Sequence, residues 1–149
     1  MTYSFTIDDQ SGFLLIKHRG KFCGAETDVA TLVALAGIPL LQRRNISRIG
    51  IDLRGVDSAT LQDTDGARVR RSERQLRQLL EMTSEEYSKH LQGMTLAGLL
   101  DPHAPVRKIV EERLIRVERV IKFGTTGLCS SEEDFLRLLD LPPDFNISG

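Results

Sequence analysis

The chain has 149 residues, of which 40% are hydrophobic and 28% are charged, and its formal net charge is −1. This length and composition are typical of a single globular domain. The near-zero charge argues against a general nucleic-acid-binding or membrane-surface protein, since those classes usually carry a basic excess. Aromatic residues make up only 5% of the chain and tryptophan is absent, so a base-stacking surface is not expected.

The sequence also indicates a cellular compartment. Cys23 and Cys129 lie far apart and share no metal-binding or redox motif, which favours two reduced thiols. The first residues lack the basic and apolar segments of a signal peptide. The longest apolar run, 32–41, is interrupted by Gly37 and Pro39 and is shorter than the roughly 20 residues that span a bilayer. We therefore expect a cytoplasmic protein without membrane insertion.

Hydrophobic periodicity predicts strands that alternate with helices along the chain. The first two strands are separated by a short turn at 9–12 and form a predicted hairpin. A further helical turn is predicted at 40–45. In chain order, the predicted elements are strand 3–8, strand 13–19, helix 26–37, strand 46–53, helix 64–81, helix 84–91, strand 94–100, helix 105–122, strand 125–129 and helix 131–139.

The helix at 105–122 has the clearest pattern. Pro105 suits a first helical turn, and Gly124 suits the region after the last turn. Apolar residues recur three or four positions apart, so one stripe is predicted to be buried and the opposite face to be solvated. The residues of the predicted stripe are Val106, Ile109, Val110, Leu114, Val117 and Ile121.

Together these elements predict an α/β fold with a mixed, mostly parallel sheet and flanking helices. Strands that alternate with helices form right-handed βαβ units, and such units build parallel sheets. The opening hairpin adds an antiparallel strand. We expect one domain over 1–149, with an ordered core at about 3–141.

The order of elements resembles the STAS domain, the fold of anti-sigma-factor antagonists, and in particular its SpoIIAA-like branch of small bacterial proteins. The opening hairpin with Gly20 is one similarity. The run from Ile49 to Val56 looks like the family's aliphatic strand that ends in an Asp-Leu turn, and the run from Gly127 to Leu139 looks like its last strand and Ser/Glu-capped helix. The resemblance implies a regulatory domain that acts by binding a protein partner.

Within that family, a serine or threonine that follows an aspartate, just before a glycine and at the start of a helix, is the phosphorylation site of a partner-switching kinase. The matching position is Thr64 in the sequence Asp63-Thr64-Asp65-Gly66, and Ser58 is the second choice. The resemblance therefore implies Thr64 as a phosphoacceptor. The alternative interpretation is that Thr64 simply caps a helix, because its hydroxyl can accept a hydrogen bond from a free backbone N–H.

The helix that follows is rich in arginine. Asp63, Asp65, Arg68, Arg71 and Arg74 are the residues predicted to contact a partner. A cluster of guanidinium groups suits an acidic protein surface, a phosphate or a nucleic acid, and the net charge favours the protein. The alternative is a solvated helix face with no binding role.

No catalytic, metal or cofactor site is predicted. The three histidines lie in different elements without metal-ligand spacing, and no phosphate-binding glycine motif occurs. The functional hypothesis is a non-enzymatic regulatory module with a protein partner. The alternative is a carrier that holds a small apolar or lipid-like ligand between sheet and helices. An apolar cavity at the C-terminal edge of the sheet would favour the carrier, and a flat charged surface there would favour the regulatory module. No motif specifies the oligomeric state.

Overall fold

The computed structural model describes residues 2–8, 10–37, 45–81 and 85–147. Strands and helices alternate after an initial hairpin, as the periodicity predicts. The elements are β1 (Thr2–Asp8), β2 (Phe13–Phe22), α1 (Gly24–Gly37), β3 (Arg48–Ala59), α2 (Leu61–Thr64), α3 (Gly66–Glu81), α4 (Glu85–Gln92), β4 (Thr95–Leu99), α5 (Arg107–Ile121), β5 (Thr125–Cys129) and α6 (Glu132–Leu138). The helical turn predicted at 40–45 falls almost entirely outside the described residues.

The five strands form one sheet in the order β1-β2-β3-β4-β5. β1 is antiparallel to β2, and every other neighbouring pair is parallel. The predicted α/β fold with a mixed, mostly parallel sheet is thus confirmed. Because the parallel strands follow one another in chain order, right-handed crossovers place their connecting helices on one face of the sheet.

Both faces of the sheet are covered, but by different elements. On one face, Leu76 of α3 and Val117 of α5 pack against Leu14, Ile49 and Leu96 of the strands. On the other face, α6 packs against the alternate residues of the same strands. The core of this second face consists of Phe13, Leu15, Ala97, Leu99, Cys129, Phe135, Leu136, Leu139, Leu141 and Ile147.

The packing of α6 requires a glycine in the central strand. A Cβ atom on Gly50 would lie 2.6 Å from Cζ of Phe135 and 2.9 Å from the ring of Phe13. The second core also extends beyond the expected limit at residue 141, since Ile147 is buried in it and the ring of Phe145 contacts that of Phe13 at a centroid distance of 5.6 Å.

Two strands are longer than the sequence predicts. β3 continues past Leu53 to Ala59, and β2 continues past Arg19 to Phe22, because the two C-terminal halves pair with each other across two irregularities in register. Asp52 favours a strand end at this position, since aspartate is unfavourable in strands. In the fold its carboxylate accepts hydrogen bonds from the backbone N–H and the guanidinium of Arg54, so it is tolerated within β3.

Helix α5 has the predicted buried stripe. Val106, Val110, Val117 and Ile121 are buried. Ile109 and Leu114 lie beside them and are half-buried. Within the described residues, no helix is long and apolar enough to cross a membrane.

Candidate functional site

The C-terminal ends of β2 and β3 meet at one edge of the sheet. The backbone N–H of Thr60 donates to the carbonyl oxygen of Phe22 at 2.9 Å, which holds the two strand ends together. α1 begins just after β2, and α2 begins just after β3. In open α/β sheets, ligands and partners usually bind at this edge.

Asp63 faces inward at this edge. It is buried, and its carboxylate accepts hydrogen bonds from the backbone N–H of Gly24 at 3.0 Å and from the hydroxyl of Thr60 at 3.2 Å. A carboxylate at a helix N-terminus satisfies a free N–H group and interacts favourably with the helix dipole. Asp63 therefore anchors α1, and its predicted place on a partner-binding surface is corrected.

Thr64 is exposed, as a phosphoacceptor must be, but it does not begin the arginine-rich helix. It is the last residue of α2, and its hydroxyl donates to the carbonyl oxygen of Thr60 at 3.3 Å. The cap of α3 is Asp65, whose Oδ1 accepts from the N–H groups of Ala67 and Arg68, both at 3.1 Å. The interpretation of Thr64 as a cap is therefore wrong, because the helix begins two residues later than predicted.

We expect Asp65→Ala to lower the free energy of unfolding by about 1 kcal/mol, since it removes the side-chain cap of α3. Urea denaturation of the variant measures the loss. Asp144→Ala is the control, because Asp144 is exposed and lies outside any helix. Equal midpoints for the two variants would contradict the capping role of Asp65.

Ser58, the second-choice phosphoacceptor, is a less accessible hydroxyl than Thr64. It lies within β3 rather than in a loop, and it is half-buried. Its hydroxyl donates to Oδ1 of Asp57 at 3.0 Å. Of the two candidates, Thr64 is the more exposed residue and lies outside the sheet.

The solvent side of α3 is basic. Val69, Ser72 and Leu76 form its buried stripe, and the helix carries five arginines against Glu73 and Glu81. We call the exposed arginines Arg68, Arg70, Arg71, Arg74 and Arg77 the basic face.

Most of the basic face has no internal counter-charge. Arg77 pairs with Glu73 at 3.2 Å. Within the described part of the chain, the other four arginines form no ion pair with a carboxylate. Arg68, Arg71 and Arg74, which were predicted to contact a partner, are thus exposed and electrostatically unpaired.

A groove lies where α2 meets α3. Its volume is about 230 Å³, and we call it the α2–α3 groove. All of its lining residues are polar types, namely two arginines, two glutamines and one serine. The lining residues are Gln62, Arg68, Arg71, Ser72 and Gln75.

Behind this groove is a buried ion pair that sequence patterns did not reveal. Arg113 of α5 is only 4% exposed; it contacts Asp28 of α1 through Nη2 and donates from Nη1 to the hydroxyl of Ser72 at 2.9 Å. One guanidinium thus connects three helices. A Cβ atom on Gly24 would lie 2.5 Å from Nε of Arg113, so the position of this side chain requires glycine at the start of α1.

The ion pair is strongly desolvated. Burial raises the pKa of Asp28 to about 6, although the charge and hydrogen bond of Arg113 act in the opposite direction, and the nearby Asp63 raises it further. Nε of Arg113 is buried without a hydrogen-bond partner among the described residues. Such a site orients the helices, but its net contribution to stability is limited by the cost of desolvation.

A small apolar cavity adjoins the ion pair, between the sheet and α5. Its volume is about 50 Å³. Arg113 and Asp28 lie at its polar end, and the rest of the lining is apolar apart from Thr27. The remaining lining residues are Phe22, Gly24, Ile51, Leu53, Leu96, Gly98, Val110, Leu114, Val117 and Leu128.

The two cysteines are both buried. The thiol of Cys23 donates to Oε1 of Gln62 at 3.1 Å. Burial raises the pKa of the Cys129 thiol, which lowers the fraction of reactive thiolate. No group of three or more potential metal ligands is found among the described residues.

Comparison with known proteins adds no family assignment: no family model matches the chain, and neither a curated protein nor a solved structure is significantly similar to it.

Proposed function

We propose that the chain is a non-enzymatic regulatory module of the bacterial cytoplasm, which binds an acidic segment of a protein partner through the α2–α3 groove and the basic face. The observation that carries this proposal is the pair Arg68 and Arg71, which are exposed, unpaired and adjacent to two amide side chains in one concavity. Guanidinium groups bind carboxylates through parallel N–H donors, and arginine clusters commonly recognise acidic motifs.

The distribution of charge favours an acidic protein over nucleic acid. The whole chain has a net charge of −1, so the positive potential is local to α3. Nucleic-acid binding usually requires many phosphate contacts over a wider basic area. The resemblance of the element order to anti-sigma-factor antagonists supports the same kind of partner.

The binding test compares charge reversals at matched positions. We expect the double variant Arg68→Glu/Arg71→Glu to lose at least about tenfold in affinity for the partner, because it replaces attraction by repulsion at the centre of the surface. Lys108→Glu/Arg119→Glu is the control, since Lys108 and Arg119 are exposed cationic residues of α5 and their reversal changes the net charge equally.

The measurement uses a partner that the wild type captures from a lysate of the source cell. The affinity of this partner for the wild type and for each variant is then determined by calorimetric titration. Retention of the same partner by Arg68→Glu/Arg71→Glu with unchanged affinity would show that the basic face is not the binding surface. Equal losses in Arg68→Glu/Arg71→Glu and in Lys108→Glu/Arg119→Glu would show that only the net charge matters.

A charge on Thr64 is the proposed regulator of this binding. A phosphate there would add about −2 charge beside Asp65 and the start of α3, so it would repel an acidic partner and neutralise nearby arginines. The exposed hydroxyl of Thr64 supports this role.

We expect Thr64→Asp to weaken partner binding and Thr64→Ala to bind like the wild type. Both variants should change the free energy of unfolding by well under about 1 kcal/mol, since the Thr64 hydroxyl makes one exposed hydrogen bond and an anion is tolerated near a helix N-terminus. Calorimetric titration and thermal melting of both variants measure this. Identical affinities for the wild type and Thr64→Asp would remove the regulatory part of the proposal.

The second candidate, a carrier of an apolar ligand, rests on the cavity next to Arg113. At about 50 Å³ this cavity is far smaller than the roughly 300–1,000 Å³ of typical ligand pockets. An acyl chain would fit only if α5 moved away from the sheet. The positive charge of Arg113 is also already compensated by Asp28, so an anionic headgroup gains little there. The carrier is therefore the less well-supported function.

A further inference from the structure

The edge strand β1 has an unusual composition for an exposed strand. Its residues from Tyr3 to Ile7 are all exposed, and the segment Thr2–Ile7 contains no charged residue and no proline. Natural proteins usually protect such edges with lysine, proline, a bulge or a covering segment. β1 pairs with β2 in unbroken register over all seven residues, and no other strand of the described residues pairs with its outer edge.

The same strand exposes an apolar row. Tyr3, Phe5 and Ile7 lie on one face of β1 and are 44%, 41% and 44% exposed. In the register of the hairpin, Phe5 lies opposite Ile16 of β2, which places the row on the face of the sheet that α1, α3 and α5 cover.

Helix α1 adds to this patch. Val29 and Val33, one helical turn apart, are exposed, and together with Tyr3 and Phe5 they line a groove of about 360 Å³. Among the described residues, five of the seven exposed large apolar side chains therefore belong to β1 and α1. We call these five residues, Tyr3, Phe5, Ile7, Val29 and Val33, the β1–α1 patch.

We propose that a second copy of this chain covers the β1–α1 patch, with β1 of each copy paired antiparallel about a two-fold axis. The unpaired N–H and C=O groups of an edge strand are best satisfied by another extended strand. A two-fold axis through such a pair brings the same strand against itself in antiparallel orientation. The two five-stranded sheets then join into one continuous sheet.

Charge selects the second copy over the acidic partner proposed above. Because Thr2–Ile7 carries no charge, pairing this strand with itself brings no like charges together. Ser4 and Thr6, on the face opposite the apolar row, are hydroxyl residues that form favourable cross-strand pairs. The groove beside this strand also contains the exposed carboxylate of Glu26, so an acidic segment is repelled there and is drawn instead to the basic face.

The geometry of α1 fits the same symmetry. Its exposed Val29 and Val33 line one groove with the Tyr3 and Phe5 rings. A second copy seated on β1 therefore covers these side chains together and removes the patch from water.

The oligomeric state of the full chain tests the proposal. Sedimentation equilibrium of the wild type should give twice the chain mass of 16.7 kDa. Phe5→Lys and Val33→Lys should each raise the dissociation constant of the dimer at least about tenfold, because each dimer then buries two lysines at its centre. Ile115→Lys is the matched control, since Ile115 is 51% exposed on α5, and it should remain dimeric.

Amide hydrogen exchange gives a second readout that does not depend on a variant. In the wild type, β1 amides on the outer edge should exchange more slowly as the protein concentration rises. A monomeric wild type at about 100 µM, where even a weak specific dimer forms, would overturn the proposal. Dissociation by Ile115→Lys, or an unaltered dimer for both Phe5→Lys and Val33→Lys, would overturn it as well.

Discussion

Replacing Arg113 by methionine should lower the free energy of unfolding by about 3–5 kcal/mol, although methionine fills a similar volume. The reason is that Asp28 is left as a buried carboxylate without its counter-charge, and breaking one side of a buried ion pair is strongly destabilising. Urea denaturation at neutral pH measures the loss. Ser72→Ala, which removes one hydrogen bond of the same guanidinium, should cost only about 1 kcal/mol.

The double variant Asp28→Leu/Arg113→Met separates the charge from the packing. We expect its stability to return close to that of the wild type or above it, since apolar replacements of buried ion pairs are often neutral or stabilising. The buried Nε of Arg113 has no hydrogen-bond partner among the described residues. Replacing the guanidinium therefore also removes the free-energy cost of desolvating this atom. If Arg113→Met alone were as stable as the wild type, the ion pair would have no role in holding α1, α3 and α5 together.

Truncation of Leu139 should have an effect of comparable size. We expect Leu139→Ala to cost about 2–5 kcal/mol, since the side chain is 1% exposed in the core under α6 and its removal leaves a cavity. Leu61→Ala is the matched control: Leu61 is 60% exposed, so its truncation should cost less than about 0.5 kcal/mol. Denaturation midpoints that do not differ between the two variants would contradict the placement of the second core.

Much of the fold follows from periodicity because its signals are local. The alternation of Tyr3 to Asp8, the apolar run 94–100 and the stripe of α5 each predict an element that the structure contains. The C-terminal half of β3 could not be predicted, because it is a strand only through its pairing with β2. Gly55 lies opposite Arg19 there, and neither residue has a local preference for extended structure.

The candidate site also has one part that local sequence predicts and another part that depends on contacts between distant residues. The basic face could be predicted from the sequence. The helix has few apolar residues to bury, so most of its arginines must lie on the surface. The inward orientation of Asp63 depends on the N-terminus of α1, 39 residues away in sequence, and this cannot be read from the Asp-Thr-Asp-Gly motif.

One feature of the sequence could have been used to predict a buried ion pair. Arg113 lies between Val110 and Val117 at helical spacing, so a charged residue occupies the apolar stripe of α5. A charge at such a position requires a buried partner. Its partner Asp28 is 85 residues away, and no spacing rule connects the two.

The central claim is that a partner binds at the α2–α3 groove, and mapping that contact by NMR tests it most directly. The partner captured from the source cell is titrated into the ¹⁵N-labelled chain, and amide shifts are followed residue by residue. We expect the largest shifts at Arg68 and Arg71, because Gln62 and Gln75 also line the groove of the β1–α1 patch. These shifts should grow as salt is lowered and binding tightens. Shifts confined to residues around the apolar cavity, such as Val110 and Leu114, or to the β1–α1 patch, would contradict the account.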